Sequence, residues 1–419
     1  MSAGPPLAAR DAALTILEHV SRQPPLRVPL DDALDSVLAQ EIASPIDLPA
    51  WTNSAMDGYA VRAADIRGAR RDSPVRLRVV ETIPAGTFPS RPVGAGEAAR
   101  IFTGAPLPEG ADTVVRQEDT DEGAETVSLF DDRDAGVNIR LTGEDLRRGD
   151  IVLREGTALG PAELGVLASM AVAHPLVYRR PRVAILSGGD EIVDIDQPEE
   201  ILSGRKVASS NSHTLTALVR RAGGEPVDLG IASDTPESVR AHLARGLDCD
   251  LIVTTAGISV GEHDHLRTVL AAMGVDQKFW KLRMRPGAPV GFGLLGGIPW
   301  IGLPGNPVST MVTFELFVRP AIRRMAGHRL PFRQGVVARA AEPITLKPRL
   351  QHFLRAIVTG REGDLAARLT GPQGSGILTS MVRANALLVI PEGQHQTPAG
   401  ADILAIRLDD PAHQELPPF

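Results

Sequence analysis

Residues 256–264 read Ala-Gly-Ile-Ser-Val-Gly-Glu-His-Asp, which sets a hydroxyl between two glycines and follows it with two carboxylates and an imidazole. Gly257 to Gly261 has the G-x-S-x-G spacing of a serine-hydrolase elbow, and it follows an apolar run ending at Thr255. A serine nucleophile needs a histidine base and an acid within reach. His263 and His265 are too near Ser259 in sequence, His328 lies just past a helical stretch, and His352, His395 and His413 fall in a β-rich tail. No HGGG-type oxyanion loop appears. Gly257 and Gly261 therefore read as turn residues that leave the Ser259 hydroxyl and the loop N–H groups to hydrogen-bond a ligand.

Carboxylates recur at equivalent places. Asp190 and Glu191 follow the run "RVAILS" and Gly188-Gly189, Asp234 follows "DLGIAS", and Glu262 and Asp264 follow "DLIVTT". Hard oxygen ligands from separate loops suit Mg²⁺, which usually also keeps waters and substrate phosphates. Acidic residues at helix starts also serve as caps, and the residues alone leave both roles open. Charge of the other sign lies in "FWKLRMRPGAPVGFG", where Lys281, Arg283 and Arg285 alternate at period two and would share one face of a strand. Such a face could bind phosphate or protect an exposed sheet edge. Asn306 and Pro307 suit the cap and first turn of a helix, and Gly305 admits a close ligand. That helix start suits an oxyanion, and equally suits a plain well-capped helix.

The elements that must hold these residues follow from periodicity. Apolar runs at 182–187, 225–233, 250–255 and 298–304 alternate with helical stretches 211–222, 236–246, 263–273 and 308–327. That pattern predicts a central doubly wound parallel α/β domain over 181–328, and such sheets bind ligands outside the carboxyl ends of their strands. Residues 51–144 alternate strand-like pieces with Gly/Pro turns and read as an inserted mostly-β domain. It interrupts a helical N-terminal domain over 1–50 and 145–180. There, Leu7, Ala8, Ala12, Leu14, Leu17 and Val20 make one helix face, "DDALDSVLAQEI" forms a second short helix capped by Asp31, and Pro161 opens a third. Residues 329–419 read as a small C-terminal β-barrel or sandwich. The whole is a multidomain α/β plus β chain.

Composition narrows the function. The 419 residues carry a net charge of −7, which sets aside a general nucleic-acid binder. A single cysteine, Cys249, excludes an intrachain disulfide and a cysteine-based zinc or iron–sulfur site. No stretch has signal-peptide character or transmembrane length, so a cytoplasmic, reducing compartment and no membrane partner are expected.

Taken together, several stretches resemble the molybdopterin molybdenumtransferase family. They are "NSAMDGYAV" (53–61), "IFTGAPLPEGADTVVRQED" (101–119), "GVNIRLTGED" (136–145), "SGGDEI" (187–192), "AGISVGEHDHLR" (256–267), "FWKLRMRPGAPVGFG" (279–293), "GLPGNPVST" (302–310) and "GPQGSGILTSM" (371–381). The resemblance covers nearly the whole chain. It implies an enzyme that inserts molybdate into adenylylated molybdopterin with Mg²⁺, releases AMP and forms molybdenum cofactor. It implies a homodimer in which the inserted β domain of one subunit faces the α/β domain of the other. Molybdopterin adenylyltransferase and maturation factors of downstream molybdoenzymes are the implied partners.

By motif match, Asp57, Glu191, Asp234, Asp264 and Lys281 would be catalytic, with Asp57 and Thr103 lining the cleft from the partner. Asp190, Glu191 and Asp264 would bind the metal. Arg140 and Arg285 would hold anions, and Gly189, Ser259, Gly261, Asn306 and Ser375 would bind the substrate, with Pro304 and Pro307 shaping the wall. Four positions depart from the family pattern: Gly188 stands where Thr or Ser is usual, Ala256 replaces a Gly, and "RPGAP" has Arg285 and Ala288 where Lys is favoured. Those departures keep two alternatives in view, a non-catalytic molybdopterin-binding scaffold and a tungstate-preferring paralogue.

Overall fold

A computed structural model describes residues 5–255, 265–347, 349–361 and 363–408. The chain divides into two compact units. One comprises Met1–Ala39, Gly156–Leu164 and His174–Phe419; the other comprises Gln40–Glu155 and Gly165–Ala173.

The first unit opens with helix α1 (Ala9–Glu18), which buries Ala9, Ala12, Ala13 and Ile16. The buried stripe is rotated from the predicted face, because Leu14 is left 44% exposed. The second predicted helix does not form. Leu30–Ala33 makes one 3₁₀ turn, Asp35 takes a left-handed φ of 61°, and Val37 and Leu38 pair with Ala158 and Val177 instead. A left-handed residue ends helical hydrogen bonding, so strand-like bridges outcompete the local helical pattern. Helix α2 (Pro161–Ser169) begins at the predicted proline.

In the second unit, β1 (Gly58–Val61), β2 (Arg70–Ile83), β3 (Glu97–Ile101), β4 (Thr113–Arg116) and β5 (Thr126–Asp131) form one sheet in the order β4-β1-β3-β2-β5. Alternation sends Tyr59 and Val61 to one buried cluster and Ala60 to another on the opposite face.

The α/β sheet contains β6 (Arg182–Gly188), β7 (Glu225–Ala232), β8 (Leu251–Thr255), β9 (Asp276–Phe279), β10 (Gly291–Leu295) and β11 (Ile298–Leu303). Its order is β7-β6-β8-β11-β10-β9. The first four strands are parallel, and β10 and β9 add antiparallel at the edge. Helices α3 (Ser210–Ala222), α4 (Pro236–Arg245) and α5 (His265–Ala272) lie near the expected spans. The stretch 308–327 becomes α6 (Pro307–Thr313), a π-helical turn over Phe314–Val318, and α7 (Arg319–Met325).

Both sheet faces are covered, which is why the strands read as unbroken apolar runs. Val183, Ile185, Leu251 and Val253 enter one core, while Ala184, Leu186 and Ile252 enter the other. Each fully buried aliphatic side chain contributes about 1.5–3 kcal/mol. In the second core Trp300 stacks on Trp280 at 5.5 Å and donates its indole N–H to Thr254 Oγ1. Cys249 lies in the same core, and burial raises its thiol pKa.

The C-terminal strands β12 (Gly335–Ala340), β13 (Gln351–Arg361), β14 (Asp364–Leu369), β15 (Ala386–Ile390) and β16 (Asp402–Arg407) form a ring, β13-β14-β12-β16-β15, closed by β15 pairing with β13. The barrel alternative is therefore the one adopted. Arg355 of β13 is fully buried, and its guanidinium donates to the Ser380 hydroxyl and to the carbonyls of Gln373 and Gly374. This charge inside an apolar strand fastens the 371–381 loop.

The segment joining β9 to β10 turns on Gly287, whose φ is 94° and whose missing Cβ would lie 2.3 Å from Thr313 Cγ2 of α6. Gly287→Ala should destabilise the unit by about 2–4 kcal/mol through backbone strain and overpacking. Adding Thr313→Ser removes the clashing methyl, so urea unfolding should recover part of that loss; no recovery would place the cost elsewhere.

Candidate active site

A cavity of about 450 Å³ opens at the carboxyl ends of β6, β8 and β11. Ser187, Gly188 and Glu191 line it from the first strand end, Thr255 from the second, and Pro304 to Pro307 from the third. Three of the four strand ends are thus brought to one place. The fourth, Asp234 after β7, borders an adjoining cavity of about 40 Å³ that shares Ser187, Gly188 and Thr255.

Asp190 and Asp234 form a reciprocal latch. Asp234 N–H donates to Asp190 Oδ1 at 3.0 Å, and Asp190 N–H donates to Asp234 Oδ2 at 3.3 Å. Each carboxylate satisfies an otherwise orphaned loop amide and keeps a second oxygen for another partner. Lys206 Nζ donates to the Asp190 carbonyl at 2.6 Å. Gly189 makes the turn possible. Its φ is 127°, and a Cβ there would sit 2.7 Å from Glu191 Oε2. Gly188 has no such requirement: a Cβ would meet only the Ala232 carbonyl, at 3.6 Å. The backbone would therefore accept the Thr or Ser of the family pattern, and Gly188 leaves that part of the cavity unfilled.

Hydroxyl groups missed in the sequence line the cavity at Ser187, Ser209 and Thr255 and are joined through Ser212. Ser187 Oγ lies 3.0 Å from Ser212 Oγ, Ser212 bonds Ser209, and Thr255 Oγ1 donates to Ser187 at 3.3 Å. All four are buried. The signal was the run Ser209-Ser210-Asn211-Ser212 just before a helix, where small hydroxyls favour helix starts. Asn211 adds a bond to the Gly305 carbonyl at 2.8 Å, tying α3 to the opposite wall.

On that wall Asn306 occupies the cap position and Pro307 the first turn of α6, but the Asn306 side chain makes no capping bond. Thr310 fastens the loop instead, donating to the carbonyls of Pro304 and Asn306. The exposed Asn306 side chain lines the cavity. Ser375 does not line it; its carbonyl accepts Val308 N–H at 3.2 Å, which joins the 371–381 loop to the α6 start.

Lys281, Arg283 and Arg285 do not share one continuous strand. β9 ends at Phe279, and Met284–Arg285 pairs with β13. Alternation survives locally, with Leu282 and Met284 buried and Lys281 and Arg285 exposed. Arg283 is committed to structure, since it pairs with Glu392 and donates to the Pro6 carbonyl. Lys281 and Arg285 lie outside the cavity lining, and Pro289 of the same segment enters it.

In the second unit, Asp57 Oδ1 accepts the Thr103 N–H at 2.7 Å and the Thr103 hydroxyl at 2.8 Å. These bonds, chiefly the backbone one, hold the exposed Asp57 carboxyl below its usual pKa, with help from the Arg100 charge. Gly58 follows because a Cβ there would meet the Val115 carbonyl at 2.0 Å. Arg140 is exposed and pairs through its backbone with Asn53. Ser259, Gly261 and Asp264 lie outside the described residues. Among the described residues no group of three His, Cys, Asp or Glu side chains is placed to hold a metal ion. No described helix is long and apolar enough to cross a membrane.

Family models match three stretches: the MoeA N-terminal region (domain I and II) over residues 7–171, a probable molybdopterin binding domain over 184–324, and the MoeA C-terminal region (domain IV) over 337–408. A molybdopterin molybdenumtransferase of Nostoc sp. is 36% identical over 422 residues, covering 96% of this chain and 94% of its own. Molybdopterin molybdenumtransferase 2 of Mycobacterium tuberculosis is 38% identical over 385 residues, covering 90% and 94%. The crystal structure of a molybdopterin biosynthesis MoeA protein from Pyrococcus horikoshii OT3 superposes with a TM-score of 0.81 at 29% identity, covering 96% of this chain and all of that one.

The Asp57 geometry gives a titration. Because the folded pKa is depressed, its stabilising contribution is present above the unfolded value of ~3.9 and is lost as pH falls through the lower folded value. NMR titration of the Asp57 carboxyl carbon should show a midpoint below that of a model peptide. Thr103→Val, which keeps the N–H bond, should move it part of the way back. An unchanged midpoint in Thr103→Val would mean the hydroxyl bond contributes nothing.

Proposed function

The chain belongs to the molybdopterin molybdenumtransferase family of molybdenum-cofactor biosynthesis, and from that premise we propose that it inserts molybdate into adenylylated molybdopterin with Mg²⁺, releasing AMP. The observation that carries this reading is the strand-end cavity, where the Asp190–Asp234 latch holds Glu191 at the rim opposite the Pro304–Pro307 wall.

The chemistry suits the residues present. Molybdate is a tetrahedral dianion and the organic substrate carries a pyrophosphate, so the site needs cations, N–H donors and carboxylates together. Lys281 and Arg285 supply exposed positive charge on the segment whose Pro289 reaches the cavity. Thr255 already donates to Ser187, and the buried Ser187–Ser212–Ser209 chain makes two bonds with three hydroxyls, which leaves one proton to donate to an oxyanion without bringing a charge of its own. Asp190, Glu191 and Asp234 are hard oxygen donors of the type Mg²⁺ takes, one or two at a time, beside substrate phosphates. When bound, that ion would neutralise phosphate charge. Everything else is positioning: Gly189 sets the Glu191 carboxylate, the latch fixes the loop, and Asn211 holds the far wall. Phosphoryl transfer of this kind depends on placement more than on a protein nucleophile. That accords with reading Ser259 as a ligand-binding hydroxyl.

The test is AMP release from adenylylated molybdopterin by the purified protein with Mg²⁺, with and without molybdate, and with tungstate in its place. Release should depend on molybdate and should fall by about tenfold or more in Asp234→Ala, which removes the acceptor of the Asp190 N–H and with it half of the latch. Tight substrate binding with no release under either oxyanion would leave a carrier or scaffold, and release with tungstate alone would identify a tungstate paralogue.

The reading extends to a homodimer. Sedimentation equilibrium should return about twice the chain mass of 44.5 kDa, and a monomer at all concentrations would oppose it.

A further inference from the structure

The first unit holds a second polar cavity, of about 280 Å³, that shares no lining residue with the strand-end cavity. Arg221, Arg319, Arg333 and Arg407 line it, with Phe332 and Gln334. These cations come from three elements and a loop: the last turn of α3, the start of α7, the end of β16, and the connection before β12. Glu315 answers some of this charge, bonding Arg333 Nε at 2.6 Å and lying 3.8 Å from Arg319 Nε. Arg319 also donates to the Pro331 carbonyl. Arg407 Nε is buried with no hydrogen-bond partner among the described residues, and so is Nε of Arg323, one turn along α7. Like charges this close, partly desolvated, are costly unless an anion joins them.

The geometry points to this cavity as a binding site for a tetrahedral dianion, either the phosphate of a small phosphate ester or the oxyanion substrate itself. Guanidinium forks match tetrahedral oxyanions bidentately; Arg333 gives Nε and one terminal nitrogen to Glu315, so an anion would be met by the N–H groups that the cluster has left over. The volume exceeds that of a bare oxyanion, and the ring of Phe332, 46% exposed, gives an attached organic group an apolar surface. The field of the cluster registers on its neighbours. Burial, then the Arg333 and Arg323 charges, lowers the Arg319 pKa to about 10. Burial with Arg323 and Arg319 pushes the His328 imidazole down to about 4.

A Phe332→Trp reporter in the full chain tests this. Inorganic phosphate, AMP and molybdate are titrated separately at low ionic strength, with chloride as the control. The expected result is a saturable change in indole emission, weakened about tenfold when Arg407→Gln removes one charged donor. Arg221→Gln serves as a second variant should Arg407→Gln melt below the assay temperature. Tighter binding of phosphate or AMP assigns a phosphate ester, and tighter binding of molybdate assigns a reserve of the substrate oxyanion. No saturable response, or one that Arg407→Gln and Arg221→Gln both leave unchanged, overturns the site. So does a response that appears only after Asp409→Asn and Asp410→Asn, because the chain's own carboxylates, which follow Leu408 in sequence, would then be the occupant.

Discussion

A parallel sheet covered on both faces can offer polar groups only at its ends, because every backbone donor and acceptor along its length is committed to a neighbouring strand. In this protein β6, β8 and β11 run side by side with both faces in apolar cores, so their carboxyl ends deliver Ser187, Thr255 and Pro304 to one edge. Ser187, Glu191, Thr255 and Asn306 reach the strand-end cavity through that arrangement. The loops leaving those strands must satisfy their own amides without a ladder, and Asp190 and Asp234 do so for each other.

Much of this was legible in the sequence because buried strands and capped helices leave local marks. Continuous apolar runs at 182–187 and 250–255 announced strands buried on two faces, and Pro161 and Pro307 marked helix starts. What escaped was decided by partners far away in the chain. Val37 and Leu38 abandon a helical pattern because Ala158 and Val177 await them. Arg283 looks like a member of a cationic face until Glu392, more than a hundred residues later, claims it. Ser187 and Ser212 carry no mark of their contact, since a hydroxyl pair has no period. Asn306 was read as a side-chain cap, and Thr310 took that duty because its hydroxyl reaches back to the preceding carbonyls.

Arginine serves here in three distinct ways. Arg355 is a buried brace whose donors end on a hydroxyl and two carbonyls. Arg285 is exposed beside the segment that reaches the strand-end cavity. The Arg319–Arg333 group concentrates charge around a separate space, with Glu315 as its paired carboxylate. A guanidinium stays charged under all ordinary conditions, so each role persists where a histidine or lysine would titrate away.

Cys249 has a practical consequence. The chain's single thiol is packed beneath β8, and burial raises its pKa, so it stays protonated and shielded from alkylating reagents. The protein is therefore a ready-made blank for covalent labelling. A cysteine introduced at an accessible position, Gly188 among those with room for a side chain, would be the one thiol that a fluorophore or spin label could find, with no need to remove a native one first.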